Sequence, residues 1–306
     1  MPAVSANFGD LITPGLKKIF TEQYDQLPEM RTSLFNVISS DRAYEKESTV
    51  GAFGDMPTFN GTISYDDVYQ GYNVTYTPAE FAKGFKVERK LFDDDLYNVI
   101  NRKPRGLAIS AQRTQEKHAA SVFQGAFAGS GTIVVDGITI LTNSEGLSLC
   151  HAAHTSTASS TTQNNTGTSA LSDTAVEATR IAMAAFRDDR DNLISIQADM
   201  ILCGRAKEQV AWEIISTKGK VDTAENNANF HYGKYKLAVW DFLPGTAWFM
   251  IDSNMMKMFL QWYERIPLEF FQDKSFDTLI AKFASYARWA YGWSDWRWLY
   301  GHNATS

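Results

Sequence analysis

Cysteine is nearly absent from this chain of 306 residues: Cys150 and Cys203 are the two it has, and proline is sparse at eight. Two cysteines argue against a disulfide scaffold and fit a reducing compartment. Long apolar runs are also missing, and none approaches the roughly 20 residues of a membrane span. The N-terminus, Met1 to Asn7, has neither the basic region nor the apolar core of a secretory signal, so the chain is expected to fold in a cytoplasm. There is no basic surplus. Lys and Arg number 29 against 35 Asp and Glu, a net charge of −6. That balance weighs against nucleic-acid binding, where neutralising phosphates supplies most of the affinity. The short group Arg102-Lys103-Pro104-Arg105 reads as a solvated helix start. No phosphate-binding loop, dinucleotide fingerprint, Gly-x-Ser-x-Gly elbow or His-Glu-x-x-His helix occurs.

What remains is the composition of a folded protein, with 44% hydrophobic and 21% charged residues, long enough for a sizeable core in one or two domains. The richest stretch is Phe276 to His302, which holds Trp289, Trp293, Trp296 and Trp298, four of the eight tryptophans. Phe283, Ala287, Trp289 and Tyr291 alternate with Lys282, Tyr286 and Arg288, the period-two pattern of a long strand covered on one face. Phe283, Trp289, Tyr291 and Trp296 are the candidate core anchors, because rings of this size bury large apolar areas. Trp298 is expected nearer the rim. The alanine-rich run from Ala281 to Ala290 is also compatible with a helix.

Upstream, Thr13-Pro14 suits a helix start, with Leu16, Ile19, Phe20 and Tyr24 at helical spacing. Residues 1–46 read as an arm. Residues 47–88 are punctuated by Gly51, Gly54, Gly61, Gly71 and Gly84. Asn60-Gly61 signals a hairpin. The segment reads as a long two-stranded loop projecting from the body, marginal alone in water and in need of a surface to pack on. It either folds onto its own domain or lies across a neighbouring subunit. Phe53, Met56, Phe59, Tyr65, Tyr69 and Tyr72 are its candidate contact residues. Asp93-Asp94-Asp95 invites a metal reading, but adjacent carboxylates suit a helix start through the macrodipole. Pro104 interrupts or restarts that helix. From Arg105 to Ala126 a helix of about 33 Å is expected, long enough to be a structural spine.

Beyond Gly129-Ser130-Gly131 lies a β-like run, Ile133 to Leu141. The polar tract Thr155 to Ser169 reads as a surface loop. Thr174-x-x-Glu177 reads as a capping box. The pattern then gives a buried strand over Asp199–Gly204, a helix over Arg205–Ser216, and strands over Leu237–Leu243 and Ala247–Ile251 joined at Pro244-Gly245. Alternating strands and helices make this an α+β lobe.

Cys150-His151-x-x-His154 is the most enzyme-like cluster, and Cys and His are good zinc ligands. It abuts a Ser/Thr-rich loop and has no further ligand at a recognisable spacing, so no metal, cofactor or catalytic residue is assigned. A metal-dependent enzyme built on these three residues is the reading it competes with. Asp188-Asp189-Arg190-Asp191 lacks the glycine and terminal Glu of a calcium loop and reads as a solvated turn.

The order of elements, an Arg in a long C-terminal strand followed by Gly292 and Asp295-Trp296-Arg297, resembles the tailed-phage major capsid proteins. The likeness is to the α+β Hong Kong 97-type capsid fold, and within it to the Mu-like head-subunit branch. Val87-Glu88-Arg89-Lys90-Leu91-Phe92-Asp93-Asp94 is similar to the family's approach to its spine helix. Asp136-Gly137 with Leu149-Cys150-His151-Ala152-Ala153-His154 is similar to a turn and His-containing loop of that branch. Asn226 to Gly233, leading into Leu237-Ala238-Val239, resembles the approach to an axial-domain strand. The resemblance implies an N-terminal arm (1–46), an extended β loop (47–88), a peripheral domain with the spine helix (89–170), an axial domain (171–264) and a C-terminal strand returning to the peripheral domain (265–306). It implies a non-enzymatic head protein of a tailed double-stranded DNA phage or prophage, self-assembling through pentamers and hexamers into an icosahedral virion shell. Assembly in the host cytoplasm, a separate scaffold protein, a portal, a decoration protein and an enclosed genome held without sequence-specific binding would follow, with no membrane partner. An encapsulin-like compartment shell is the alternative within the fold.

Overall fold

A computed structural model describes residues 9–88, 90, 99–141, 143–159, 161–219, 227–243, 245–275 and 280–304. The Asp93-Asp94-Asp95 triplet, part of the 87–94 motif, Asn226 and Pro244 lie outside them.

The first helix, α1 (Gly9–Asp25), begins a turn before the expected Thr13-Pro14 start and runs through Pro14. The missing proline N–H removes a single helical bond. Leu16 and Phe20 are buried on one face, which packs α1 along the spine helix α3 (Val99–Gln124). Between them lies the short α2 (Arg31–Leu34). At 26 residues α3 is about 39 Å long. Pro104 sits inside it rather than at its start.

The polar residues of α3 bolt the arm in place. Glu116 accepts the backbone N–H groups of Met30 and Arg31, both at 3.1 Å, and the Trp240 indole N–H at 2.8 Å. Gln112 donates to the Pro28 carbonyl at 2.7 Å. Three chain segments therefore meet on one buried carboxylate, whose pKa burial raises.

Strand β1 (Asn36–Ser39) pairs parallel with β11 (Leu260–Ser275), which pairs antiparallel with β12 (Ile280–Trp293), and β12 with β4 (Ala79–Glu88). Along β12 the side chains of Phe283, Ser285, Ala287, Trp289 and Tyr291 are buried, so the stretch is a strand and not a helix. Phe81 of β4 stacks on Trp289 at 3.8 Å, and Phe85 on Phe283 at 5.1 Å. A Cβ on Gly84 would fall 2.5 Å from the Phe283 carbonyl oxygen, so the close approach of β4 and β12 requires glycine there. The sequence hides β11. Glu264, Arg265 and Pro267 break its alternation, and two register shifts, at Glu264/Ile266 and Ile266/Glu269, absorb the break. β11 runs across residues 264 and 265, where the resemblance implies a boundary.

The second lobe holds β7 (Thr166–Gly167), β8 (Met200–Cys203), β9 (Lys236–Val239), β10 (Trp248–Ile251) and β13 (Leu299–His302), in the order β7-β13-β10-β8-β9. All four residues of β8 and of β10 are buried, as the short continuous apolar runs predict. Around the sheet lie α4 (Asp173–Ala184), α5 (Glu208–Ser216) and α6 (Ser253–Phe259). Ser172 caps α4 by accepting the Ala175 N–H, which corrects the expected Thr174 box: the helix starts one residue before that threonine. Phe123, near the end of α3, meets Trp240, Phe249 and Trp298 edge-on and joins the two lobes.

The run Ile133 to Leu141 is a hairpin, β5 (Thr132–Val135) and β6 (Ile138–Leu141). Its turn places Asp136 and Gly137 at φ of 50° and 80°, the two left-handed residues of a type I′ turn. The described residues of the polar tract 155–169 lie mostly at the surface, as expected, but one of them ties the tract to the interior. Asn165 within it is buried, accepts the His151 N–H at 2.8 Å and donates to the Leu149 and Leu299 carbonyls.

Candidate functional site

Strands β2 (Glu45–Val50) and β3 (Gln70–Tyr76) form a separate two-stranded ladder. It raises residues 51–69 as a loop with no regular structure of its own. At the tip Gly61 takes φ of 98° and the Asn60 side chain accepts the Thr62 N–H, but the chain only bends there and no strands directly flank it, so the hairpin that Asn60-Gly61 signals is not formed at that point. Phe53, Met56, Phe59, Tyr65 and Tyr69 are all exposed, together with Val50 and Ile63. Tyr72, down in β3, is half-buried, and its hydroxyl meets Thr155 at 2.7 Å. Soluble surfaces seldom gather so many large apolar groups unless something covers them. β4, which the sequence groups with the loop, pairs with β12 from Ala79 to Glu88 and belongs to the body.

The base of the loop is fixed from below. The Asn73 N–H donates to the Ser144 hydroxyl at 2.8 Å, and the Ser144 N–H returns a bond to the Asn73 carbonyl at 2.7 Å. Under it lies the Asp-Trp-Arg block. Arg297 donates to Asp295 and to Asp189, both at 2.6 Å, and to the Arg187 carbonyl at 2.9 Å. Burial alone would lower the Arg297 guanidinium, but the flanking carboxylates of Asp295 and Asp189 hold it above its ordinary range. The Asp188–Asp191 segment is therefore a tied, partly buried turn and not a solvated one, which corrects the sequence reading. Nothing in the local sequence marks Asp189 as the partner of an arginine 108 residues away.

The four expected core anchors lie in the interior. Trp289 stacks between Phe81 and Trp262. The Tyr291 hydroxyl lies 3.0 Å from His118 Nδ1 and 3.1 Å from the Ser121 hydroxyl. Phe283 packs on Phe85, and Trp296 stacks on His154 at 4.3 Å. Trp298 is wholly buried, so the expected rim position is corrected. It sits where α3 meets the second lobe, and its indole N–H donates to the Asp295 carbonyl at 2.7 Å.

The Cys-His segment keeps its two histidines together, with the His151 and His154 rings edge-on at 5.9 Å, but each of the three side chains is engaged in local packing or hydrogen bonding. Cys150 lies against Gly301, where a Cβ would come within 2.5 Å of the sulfur, and burial pushes its thiol well up. His154 is buried and meets Glu145 at 3.0 Å. His151 Nδ1 accepts the Ala153 N–H at 3.1 Å. Among the described residues no group of three or more His, Cys, Asp or Glu side chains is placed to hold a metal ion. Within the same residues no helix is long and apolar enough to cross a membrane.

A family model described as phage capsid protein matches residues 71–301. No curated protein sequence matches the chain. Among solved structures, the chain is similar to the capsid of bacteriophage JBD30 decorated with minor capsid protein trimers, at 12% identity and a TM-score of 0.54, over 72% of this chain and 92% of that one. It is similar to the capsid of an empty GTA particle at 12% identity and a TM-score of 0.56, over 99% of both chains. The mature capsid of bacteriophage PhiM1 matches at 9% identity and a TM-score of 0.57, over 92% of this chain and 88% of that one. Identities this low speak to the fold.

Proposed function

This chain belongs to the phage capsid protein family, and we propose that the loop bearing Phe53, Met56, Phe59, Tyr65 and Tyr69, with Tyr72 at its base, is the surface on which its copies join. The protein is a major capsid subunit that works by self-assembly and not by catalysis. The observation that carries the loop reading is the run of exposed apolar side chains on a projection whose base is fixed and whose tip has no core of its own.

The finer picture is ours. The shell is built from pentamers and hexamers of this chain and encloses double-stranded DNA without sequence-specific contacts. A wall of net charge −6 per subunit repels phosphate rather than gripping it. The subunit belongs with the Mu-like head proteins. It is assembled in the host cytoplasm on a separate scaffold protein, about a portal. Like the JBD30 capsid with its minor-protein trimers, the shell takes a decoration protein. Residues 1–46 act as arm, and 47–88 carry the extended loop together with β4, the strand that pairs with β12 in the body. The 89–170 segment carries the spine, 171–264 supplies most of the axial domain, and 265–306 holds the long strand β12, with β7 and β13 joining the sheet of the second lobe from outside the 171–264 segment.

Purified subunit, with its scaffold where one is required, is expected to form closed particles by negative-stain microscopy. A monodisperse monomer with no particles by light scattering under assembly conditions would overturn the proposal.

A further inference from the structure

The turn Asp188-Asp189-Arg190-Asp191 does more than anchor the C-terminal block. Its three carboxylates are engaged with their own surroundings. Asp188 accepts the backbone N–H groups of Arg190 and Asn192, each at 2.8 Å. Asp189 holds Arg297. Asp191 accepts the hydroxyls of Ser159 and Thr161, each at 2.9 Å. Arg190 points the other way, into the loop. Its Nη1 lies 2.7 Å from Asp66 Oδ2, and its Nη2 donates to Asp66 Oδ1 at 2.8 Å and to the Asp67 carbonyl. Its guanidinium lies 5.2 Å from the centre of the Tyr69 ring.

The opposite limb of the loop converges on the same carboxylate, because the Gly54 N–H donates to Asp66 Oδ2 at 2.8 Å. These two donors, Gly54 first and Arg190 second, hold the Asp66 carboxyl below its usual range. A Cβ at position 54 would lie 3.1 Å from Asp66 Oδ2 and 3.3 Å from Arg190 Nη1. Glycine there leaves the guanidinium its room.

We propose that Arg190 is a positioning residue for assembly: through Asp66 it clasps both limbs of the loop and sets the direction in which residues 55–65 project before a neighbour is met. The inference rests on the reading of the loop as the joining surface. An unclasped loop would lose conformational freedom on docking, and fixing its base beforehand lowers that cost. The planar fork of arginine suits the task, because it engages both carboxylate oxygens while lying over a ring; lysine offers a point charge in its place.

The test uses the whole unassembled subunit and its assembly side by side. In Arg190→Ala, hydrogen exchange at Gly54 and along residues 51–69 is expected to quicken about five-fold, the scale of one partly exposed ion pair. The unfolding midpoint should hold while shells form more slowly. Arg190→Lys should fall between wild type and alanine. Arg190→Asp and Asp66→Arg should each slow assembly, and the two together should restore it to within about two-fold of wild type. Should Arg190→Ala fail to fold, Asp66→Asn carries the test, because Asp66 lies away from the Asp189–Arg297 contact. Wild-type exchange or wild-type assembly in these variants would overturn the clasp. Replacing residues 53–69 with a Gly-Ser linker separates the two readings. If the linker variant also assembles normally, the loop reading falls. If it fails to assemble while Asp66→Asn assembles normally, the clasp alone falls.

Discussion

Residues 280–302 and residues 51–69 are both dense in aromatic side chains and use them in opposite ways. Trp289 is 4% exposed and Trp298 0%, whereas Tyr65 is 90% exposed and Phe59 75%. The difference lies in what flanks each stretch. β12 has β11 on one side and β4 on the other, so its inward face meets a finished wall of rings. The loop has a ladder partner only at its base, and its Gly and Pro residues prevent a continuous alternation. Aromatic density alone does not mark a core; pairing on both edges, with α3 covering one face, makes it one.

The comparison breaks most visibly by truncating a buried ring. Trp289→Ala and Trp298→Ala are each expected to cost about 3–5 kcal/mol through lost transfer energy and the cavity left, much of a domain's stability of roughly 5–15 kcal/mol. Soluble yield and urea unfolding read the effect. A Trp298→Ala subunit with a wild-type midpoint would return that residue to the rim.

Acid provides the next largest effect, again confined to the body. His302 stacks on Trp248 and meets the Thr179 hydroxyl at 2.8 Å, and burial pushes its imidazole down to about 4. An unfolded histidine titrates near 6.5. Between those values the unfolded chain binds the extra proton, so the stability from His302 is whole above about pH 6.5 and is lost as the pH falls toward 4. The full shift corresponds to about 3 kcal/mol. His118 and His231, both lowered by burial, act with the same sign. Urea midpoints should fall across this window, and His302→Gln should flatten the slope. A flat wild-type profile would contradict the buried, neutral assignment.

A smaller contrast sits inside the Cys-His segment. His154→Ala removes a ring stacked on Trp296 and a hydrogen bond to Glu145, and should cost about 1–3 kcal/mol. His151→Ala, at a half-buried position, should stay within about 0.5 kcal/mol. Equal midpoints for the two variants would show that the segment holds neither ring in place.

Much of the body was legible in the sequence. The Phe283–Tyr291 alternation, the apolar β8 and β10 and the long helix follow from side-chain periodicity, which is local information. What escaped was long-range. β11 is concealed by Pro267 and the charges beside it, which bulges accommodate. Asn165 sits in a tract of polar residues whose composition says loop, yet three backbone groups from distant positions require its amide. Asp189 and Arg190 look like solvated charge until Arg297 and Asp66 arrive from far along the chain. A projecting loop was legible in the glycine-punctuated segment, but what it packs on was not, since such a segment has the same sequence whether it folds back onto its own domain or lies across a neighbour.

The central claim is that the loop serves joining and the aromatic wall serves folding. It is tested most directly by replacing residues 53–69 with a short Gly-Ser linker and measuring unfolding and particle formation on the same preparation. The account predicts a cooperative unfolding transition at the wild-type midpoint together with loss of closed shells. A variant that unfolds, or one that builds shells as the wild type does, would contradict it.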